Sequence, residues 1–208
     1  MKLQVAIDRV SIEKAIDIIR EVEDFSDIIE IGTSLIKDYG LDSIRKIKKE
    51  FPSKVILADI KTVDEAEYEF EGVFNAGADI ATVLGGASLE TLRICKRVAN
   101  KYGKDYLIDL IDFSKEKNIL DEFSDGIICI HLPSDNKGVG LEDLINSTVG
   151  DLKNLSSRLA IAGGVNIENI STIKKANFHI AIVGSAITKS VNIKESAKTF
   201  KKLMEEKI

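Results

Sequence analysis

Cysteine is scarce in this 208-residue chain: there are two, Cys95 and Cys129, far apart in sequence. One falls in a helical pattern and the other in an apolar strand, so both read as buried thiols and not as a disulfide framework. No Lys/Arg block offsets a formal charge of −5 and a pI near 5.3, which argues against a nucleic-acid binder. No apolar run approaches the ~20 residues that a membrane span needs. There is no low-complexity stretch and no linker. The N-terminus enters a strand directly, without the apolar core of a signal peptide. A cytoplasmic protein is the expectation. The first strand–helix turn has no Gly-rich dinucleotide fingerprint, which counts against a doubly wound open sheet, the alternative fold.

What is present is alternation. Strands are expected at 3–8, 27–31, from 55 into the charged stretch at 59–61, and at 79–84, 105–110, 126–131, 158–162 and 178–183. Their Val/Ile/Leu-rich composition suits parallel strands covered on both faces. Between them lie amphipathic patterns, such as the Ile12, Ala15, Ile16, Ile19, Val22 stripe capped by Ser11, and a helix after strand 2 running to about Lys49 before Pro52. A last helix is expected at about 193–204. Eight strand–helix units select a single-domain (β/α)₈ TIM barrel, an α/β fold.

In that fold chemistry gathers at the carboxyl ends of the strands. Asp8, Glu30, Asp59, Lys61, Asp109 and His131 all fall there. Asp59 and Lys61 are two apart, so an extended strand would turn both to one face. Asp64 with Glu67 fits a capping box for the next helix, the plain structural alternative to a functional role. Four carboxylates in one mouth repel each other, and Lys61 supplies a single positive charge. Oxygen donors of this kind suit a hard divalent cation, most often Mg²⁺. Across the mouth, Gly163-Gly164 follow strand 7 and Gly184-Ser185 follow strand 8. Loops at these positions commonly cradle a phosphate with backbone N–H groups, so a sugar phosphate is the expected ligand class. His131, ending an apolar strand, has as its plain reading a packed residue hydrogen-bonded to a neighbouring loop; His179, at the start of strand 8, reads as structural.

Asp59-Ile60-Lys61-Thr62-Val63-Asp64 matches the D-x-K-x-x-D signature of the orotidine monophosphate decarboxylase suprafamily. The resemblance extends through Met1-Lys2-Leu3-Gln4, Ile29–Thr33, Ala78–Gly85 and Val183–Thr188. Within that suprafamily the chain is similar to the 3-hexulose-6-phosphate synthase branch more than to the 3-keto-L-gulonate-6-phosphate decarboxylase branch. Lys61-Thr62, Val83-Leu84-Gly85 and Ile108-Asp109-Leu110-Ile111 lean toward the synthase. The resemblance implies an Mg²⁺-dependent aldol reaction joining formaldehyde to ribulose 5-phosphate through an enediolate. It also implies Glu30 and Asp59 as metal ligands, Lys61 stabilising the enediolate oxygens or moving a proton, His131 as the base, and Asp64 contributed across a homodimer interface. Two histidines are too few for a metal-dependent pentulose-phosphate epimerase, which uses several His ligands. One stretch departs from the branch pattern: after His131 the chain reads Leu132-Pro133-Ser134-Asp135-Asn136-Lys137, without the usual Gln and without the Arg residues of the decarboxylases. Leu132 and Pro133 are expected to form a small formaldehyde pocket. A decarboxylase and a non-catalytic sugar-phosphate-binding barrel are the alternative functions.

Overall fold

The computed structural model describes residues 1–111, 115–135, 138, 140–152 and 155–206. Eight parallel strands close into a barrel in chain order: β1 (Lys2–Ile7), β2 (Ile28–Ile31), β3 (Val55–Thr62), β4 (Ile80–Leu84), β5 (Asp105–Ile111), β6 (Ile127–His131), β7 (Arg158–Ala162) and β8 (Ile180–Val183). The ring closes where Leu3 pairs with Ala181. Helices α1 (Ile12–Val22), α2 (Thr33–Tyr39), α3 (Leu41–Glu50), α4 (Ala66–Ala76), α5 (Leu89–Tyr102), α6 (Lys117–Asp121), α7 (Leu141–Leu152), α8 (Ile170–Lys175), α9 (Ser185–Thr188) and α10 (Ile193–Glu205) follow the strands.

The period-2 alternation of each strand divides its side chains between two cores. Outward residues such as Val5, Ile29, Ile56 and Ile128 join the helices in one large cluster. Inward residues Ile28, Leu57, Ile80, Leu107, Ile127 and Ile180 fill the lower barrel in a second cluster. Two residues further along the same strands stand Glu30, Asp59, Thr82 and Asp109, so the inner face changes from apolar to polar within one step of the pleat. That step makes the site.

Ser11 caps α1 by accepting from the Lys14 N–H at 3.2 Å, as expected. Its buried stripe uses Ile18 in addition, with Ile16 only partly buried. Three local expectations are corrected. The helix after β2 is two helices, broken at Gly40 (φ +61°, ψ −156°), a conformation open to glycine. Asp64 does not cap α4: Glu65 holds the N-cap position in a left-handed conformation, and no side chain caps there. β3 runs on to Thr62, with a bulge against β4 between Ala58 and Thr62.

Candidate active site

Inner positions on β2, β3 and β5 place Glu30, Asp59 and Asp109 around the Lys61 ammonium, with Thr82 of β4 between Asp59 and Asp109. Lys61 Nζ lies 2.6 Å from Asp59 Oδ2 and 3.2 Å from Asp109 Oδ2. Asp109 in turn meets His131 Nδ1, with both carboxylate oxygens at 3.0 Å. Asp59 is satisfied on all sides: Oδ2 also accepts from Thr33 Oγ1 at 2.7 Å, and Oδ1 accepts from Thr82 Oγ1 at 2.9 Å. The result is a continuous chain, Asp59–Lys61–Asp109–His131, across the floor of the mouth.

Burial fixes the electrostatics. Desolvation lowers the Lys61 pKa, but the charges of Asp59 and Asp109 outweigh it and hold the ammonium well above its ordinary value. For Asp109 burial raises the pKa, and the hydrogen bond and charge of His131, with Lys61, reverse the shift to a net lowering. Glu30 has no such rescue. Burial, then the charge of Asp59, push its carboxyl up to about 8, against the opposing hydrogen bond from Gln4 Nε2 at 2.6 Å. Cys129, on the inner face below His131, is buried, and desolvation pushes its thiol well above the ordinary range.

These residues line a cavity of about 540 Å³ at the carboxyl end of the barrel, within the range of small-ligand sites. Asp8, Gly163, Gly164, Gly184 and Ser185 line it as well. Asp8 also accepts from the Leu35 N–H at 3.0 Å, tying the end of β1 to α2. It comes that close because residue 32 is glycine: a Cβ there would stand 2.7 Å from Asp8 Cβ. Gly163 (φ +82°) passes over the Leu132 carbonyl so closely that a Cβ would sit 2.1 Å from its oxygen. Leu132 is thereby held under the β7 loop in the outer core, and of the expected apolar pair only Pro133 lines the cavity, with Ser134 and Asp135. Asn136 and Lys137 lie outside the described residues. Asp64 is exposed and does not line the cavity, so a single chain does not bring it to the site. His179 sits at the other end of the barrel, its Nδ1 accepting from the Leu159 N–H at 3.0 Å, a structural place.

Sequence reasoning passes over Gln4, Arg9, Thr33, Thr82 and Lys189, which also line the cavity. Gln4 and Thr82 carry a signal: each is a polar residue at an inward position of an apolar strand. Thr33 follows Gly32 with nothing local to mark it. Arg9 and Lys189 flank the β8–β1 side of the mouth, and neither has an ion-pair partner among the described residues.

Among the described residues no three His, Cys, Asp or Glu side chains gather as a metal cage. The donors nonetheless fit a hard divalent cation that keeps water or substrate ligands. Three acidic side chains face the Lys61 ammonium, burial and the charge of Asp59 raise the pKa of Glu30, and the fully buried Gln4 Oε1 beside it has no partner. A cation at Glu30 and Asp59 would relieve that repulsion.

The sequence profile of the orotidine 5′-phosphate decarboxylase / HUMPS family matches residues 1–200. A 3-hexulose-6-phosphate synthase of Bacillus subtilis (strain 168) is 34% identical over 209 residues, spanning 98% of this chain and 99% of its own. One from Mycobacterium gastri is 35% identical over 190 residues, 90% of this chain and 91% of its own. A crystal structure of a 3-hexulose-6-phosphate synthase superposes with a TM-score of 0.90 at 33% identity, covering 98% of this chain and 100% of the other.

Proposed function

The chain belongs to the orotidine 5′-phosphate decarboxylase / HUMPS family, and from that premise we propose that it is a 3-hexulose-6-phosphate synthase, an aldehyde-lyase joining formaldehyde to ribulose 5-phosphate. The observation that carries this reading is the charge chain Asp59–Lys61–Asp109–His131 on the floor of the cavity.

The reaction needs a proton taken from C1 of the ketose, charge stabilised on its oxygens, and a new bond from C1 to the formaldehyde carbon. Asp109 holds His131 at Nδ1, which leaves Nε2 as the basic nitrogen. His131 then removes the C1 proton. Lys61, kept protonated by two carboxylates, donates to the enediolate oxygens as charge develops there. A proton returned to the formaldehyde oxygen completes the hydroxymethyl group. Mg²⁺ held by Glu30 and Asp59 would supply Lewis-acid stabilisation of the same negative charge. At the far side of the mouth the phosphate meets the backbone of Gly163, Gly164, Gly184 and Ser185, with Arg9 and Lys189 adding charge.

The loop after β6 favours condensation over decarboxylation. A decarboxylase must place an extra substrate carboxylate near His131, and Arg is the natural partner for it. Among the described residues that loop offers the cavity Pro133, Ser134 and the like-charged Asp135.

A two-fold homodimer completes the proposal. Exposed Val63 and Tyr68 flank Asp64 in sequence, and a groove of about 560 Å³ lined by Ile36, Leu41, Ile60 and Val73 lies beside Tyr68. Apolar surface of that kind suits a second copy of the chain, which would carry Asp64 into the neighbouring mouth.

The reading is tested by giving the purified protein ribulose 5-phosphate with formaldehyde, and separately 3-keto-L-gulonate 6-phosphate, each with Mg²⁺. Formaldehyde consumption without carbon dioxide release from the second substrate is expected. The reverse outcome would assign the decarboxylase.

A further inference from the structure

Thr82 is 2% exposed, on the inner face of β4, opposite the bulge in β3. Ala58 pairs with Ala81 and Thr62 with Val83, so β3 carries two more residues than β4 across this stretch. Lys61 lies inside the bulge at φ +48°, in the left-handed region that a side chain with a Cβ seldom adopts. Its N–H, displaced from the regular ladder, donates to Thr82 Oγ1 at 2.8 Å. The same hydroxyl donates to Asp59 Oδ1 at 2.9 Å. Only one arrangement of protons satisfies both contacts. An amide can only donate and an ionised carboxylate can only accept, so the single Thr82 proton is committed to Asp59.

We propose that Thr82 is a positioning residue for the reaction, acting through Lys61 and Asp59 without touching substrate. Its hydroxyl holds the Lys61 backbone in the left-handed turn that brings the ammonium back to Asp59 and Asp109, and it fixes Asp59 from the opposite side. Without the hydroxyl the bulge relaxes, and the ammonium and the carboxylate lose their common reference point. Neighbouring Ala81 and Val83 pack outward in the large core. The position therefore requires neither a polar residue for packing nor a hydroxyl for the ladder. What it serves is the pair of charges above it.

The kinetic part of this inference rests on the proposed synthase reaction; the backbone part does not. Thr82→Val keeps the shape and removes both hydrogen bonds, whereas Thr82→Ser keeps the hydroxyl. For Thr82→Val, kcat for condensation should fall by about 10²-fold. KM for ribulose 5-phosphate should stay within about threefold, because the loss falls on the step and not on ground-state binding. Hydrogen exchange at the Lys61 amide, followed by mass spectrometry of the β3 peptide, should accelerate. Thr82→Ser should recover most of both. Wild-type kcat and wild-type protection of Lys61 in Thr82→Val would overturn the proposal, as would equal impairment in Val and Ser, since a hydroxyl retained in Ser would then not be what holds the site. If Thr82→Val fails to fold, Thr82→Ala against Thr82→Ser decides on the same readouts. An inactive wild type would reject the reaction alone, leaving the exchange comparison to decide the role of Thr82.

Discussion

Lys61 is the residue on which the charges of the site converge, and its replacement isolates its contribution. Lys61→Ala removes the ammonium held by Asp59 and Asp109, and should cost on the order of 3 kcal/mol or more of transition-state stabilisation. His131→Ala should slow condensation by roughly 10²–10⁴-fold if Nε2 takes the C1 proton. Steady-state kinetics with both variants at saturating substrate checks the two values. Either variant retaining full kcat would remove that residue from the proposed chemistry. At Glu30 the expectation concerns affinity: Glu30→Gln should weaken Mn²⁺ binding, measured directly by titration calorimetry, and unchanged affinity would exclude it as a ligand. The charged members of the site are legible in sequence because a charge at the end of an apolar strand is conspicuous. Thr33, Thr82 and Gln4 are less so, being neutral groups whose role comes from what they touch across strands.

At the scale of elements, the alternation of strands and helices is plain in the sequence, and β1 to β8 fall within a few residues of their expected places. Two features escape it. Gly40 lies inside a pattern that reads as one helix, and only the backbone shows that it divides α2 from α3. The bulge in β3 is a mismatch in length between two strands, which neither strand reveals alone; regular alternation predicts the proximity of Asp59 and Lys61, but the structure achieves it through a left-handed residue. At the opposite end of the barrel, Asp79 ties three elements together. It accepts from Lys48 Nζ at 2.7 Å, Lys104 Nζ at 2.6 Å and the Ile56 N–H at 3.0 Å. Burial raises its pKa, but the bonds from Lys104 and Lys48 and the Ile56 N–H prevail and lower it below the ordinary 3.8. A carboxyl lowered on folding stabilises the fold fully above its unfolded value, and the gain disappears as pH falls through the folded value. Asp79→Asn should therefore cost about 1–3 kcal/mol near neutrality. The difference from wild type should shrink in acid below about pH 4, by urea unfolding at both pH values. A gap that stays constant with pH would show that the charge of Asp79 is not what stabilises the clamp.

The whole molecule is polarised across its mouth. Carboxylates on β2, β3 and β5 face glycine loops after β7 and β8, with Arg9 and Lys189 between them and the end of β1. In the proposed reaction such a mouth would orient the substrate with its phosphate at one end and its reacting carbonyl at the other. The single-domain barrel is the part of this most readily read from sequence, through the count of eight units. Assembly is another matter: Asp64 carries the family signature, yet it stands exposed and outside the cavity of its own chain. If a second subunit brings it in, Asp64→Asn and Lys61→Ala proteins, each inactive, should regain part of their activity when mixed and allowed to exchange. The heterodimer then holds one site with both lesions and one with neither. No recovery after demonstrated exchange would place Asp64 outside the chemistry.

The most direct measurement is a carbon NMR spectrum of the protein with ¹³C-formaldehyde, ribulose 5-phosphate and Mg²⁺, repeated after chelation. The label is expected to move into a hydroxymethyl carbon newly bonded to C1 of the ketose, excess chelator to stop the transfer, and restored Mg²⁺ to resume it. Label that remains in formaldehyde hydrate while ribulose 5-phosphate binds would rule out the synthase reaction, and transfer at full rate in excess chelator would rule out a metal held by Glu30 and Asp59.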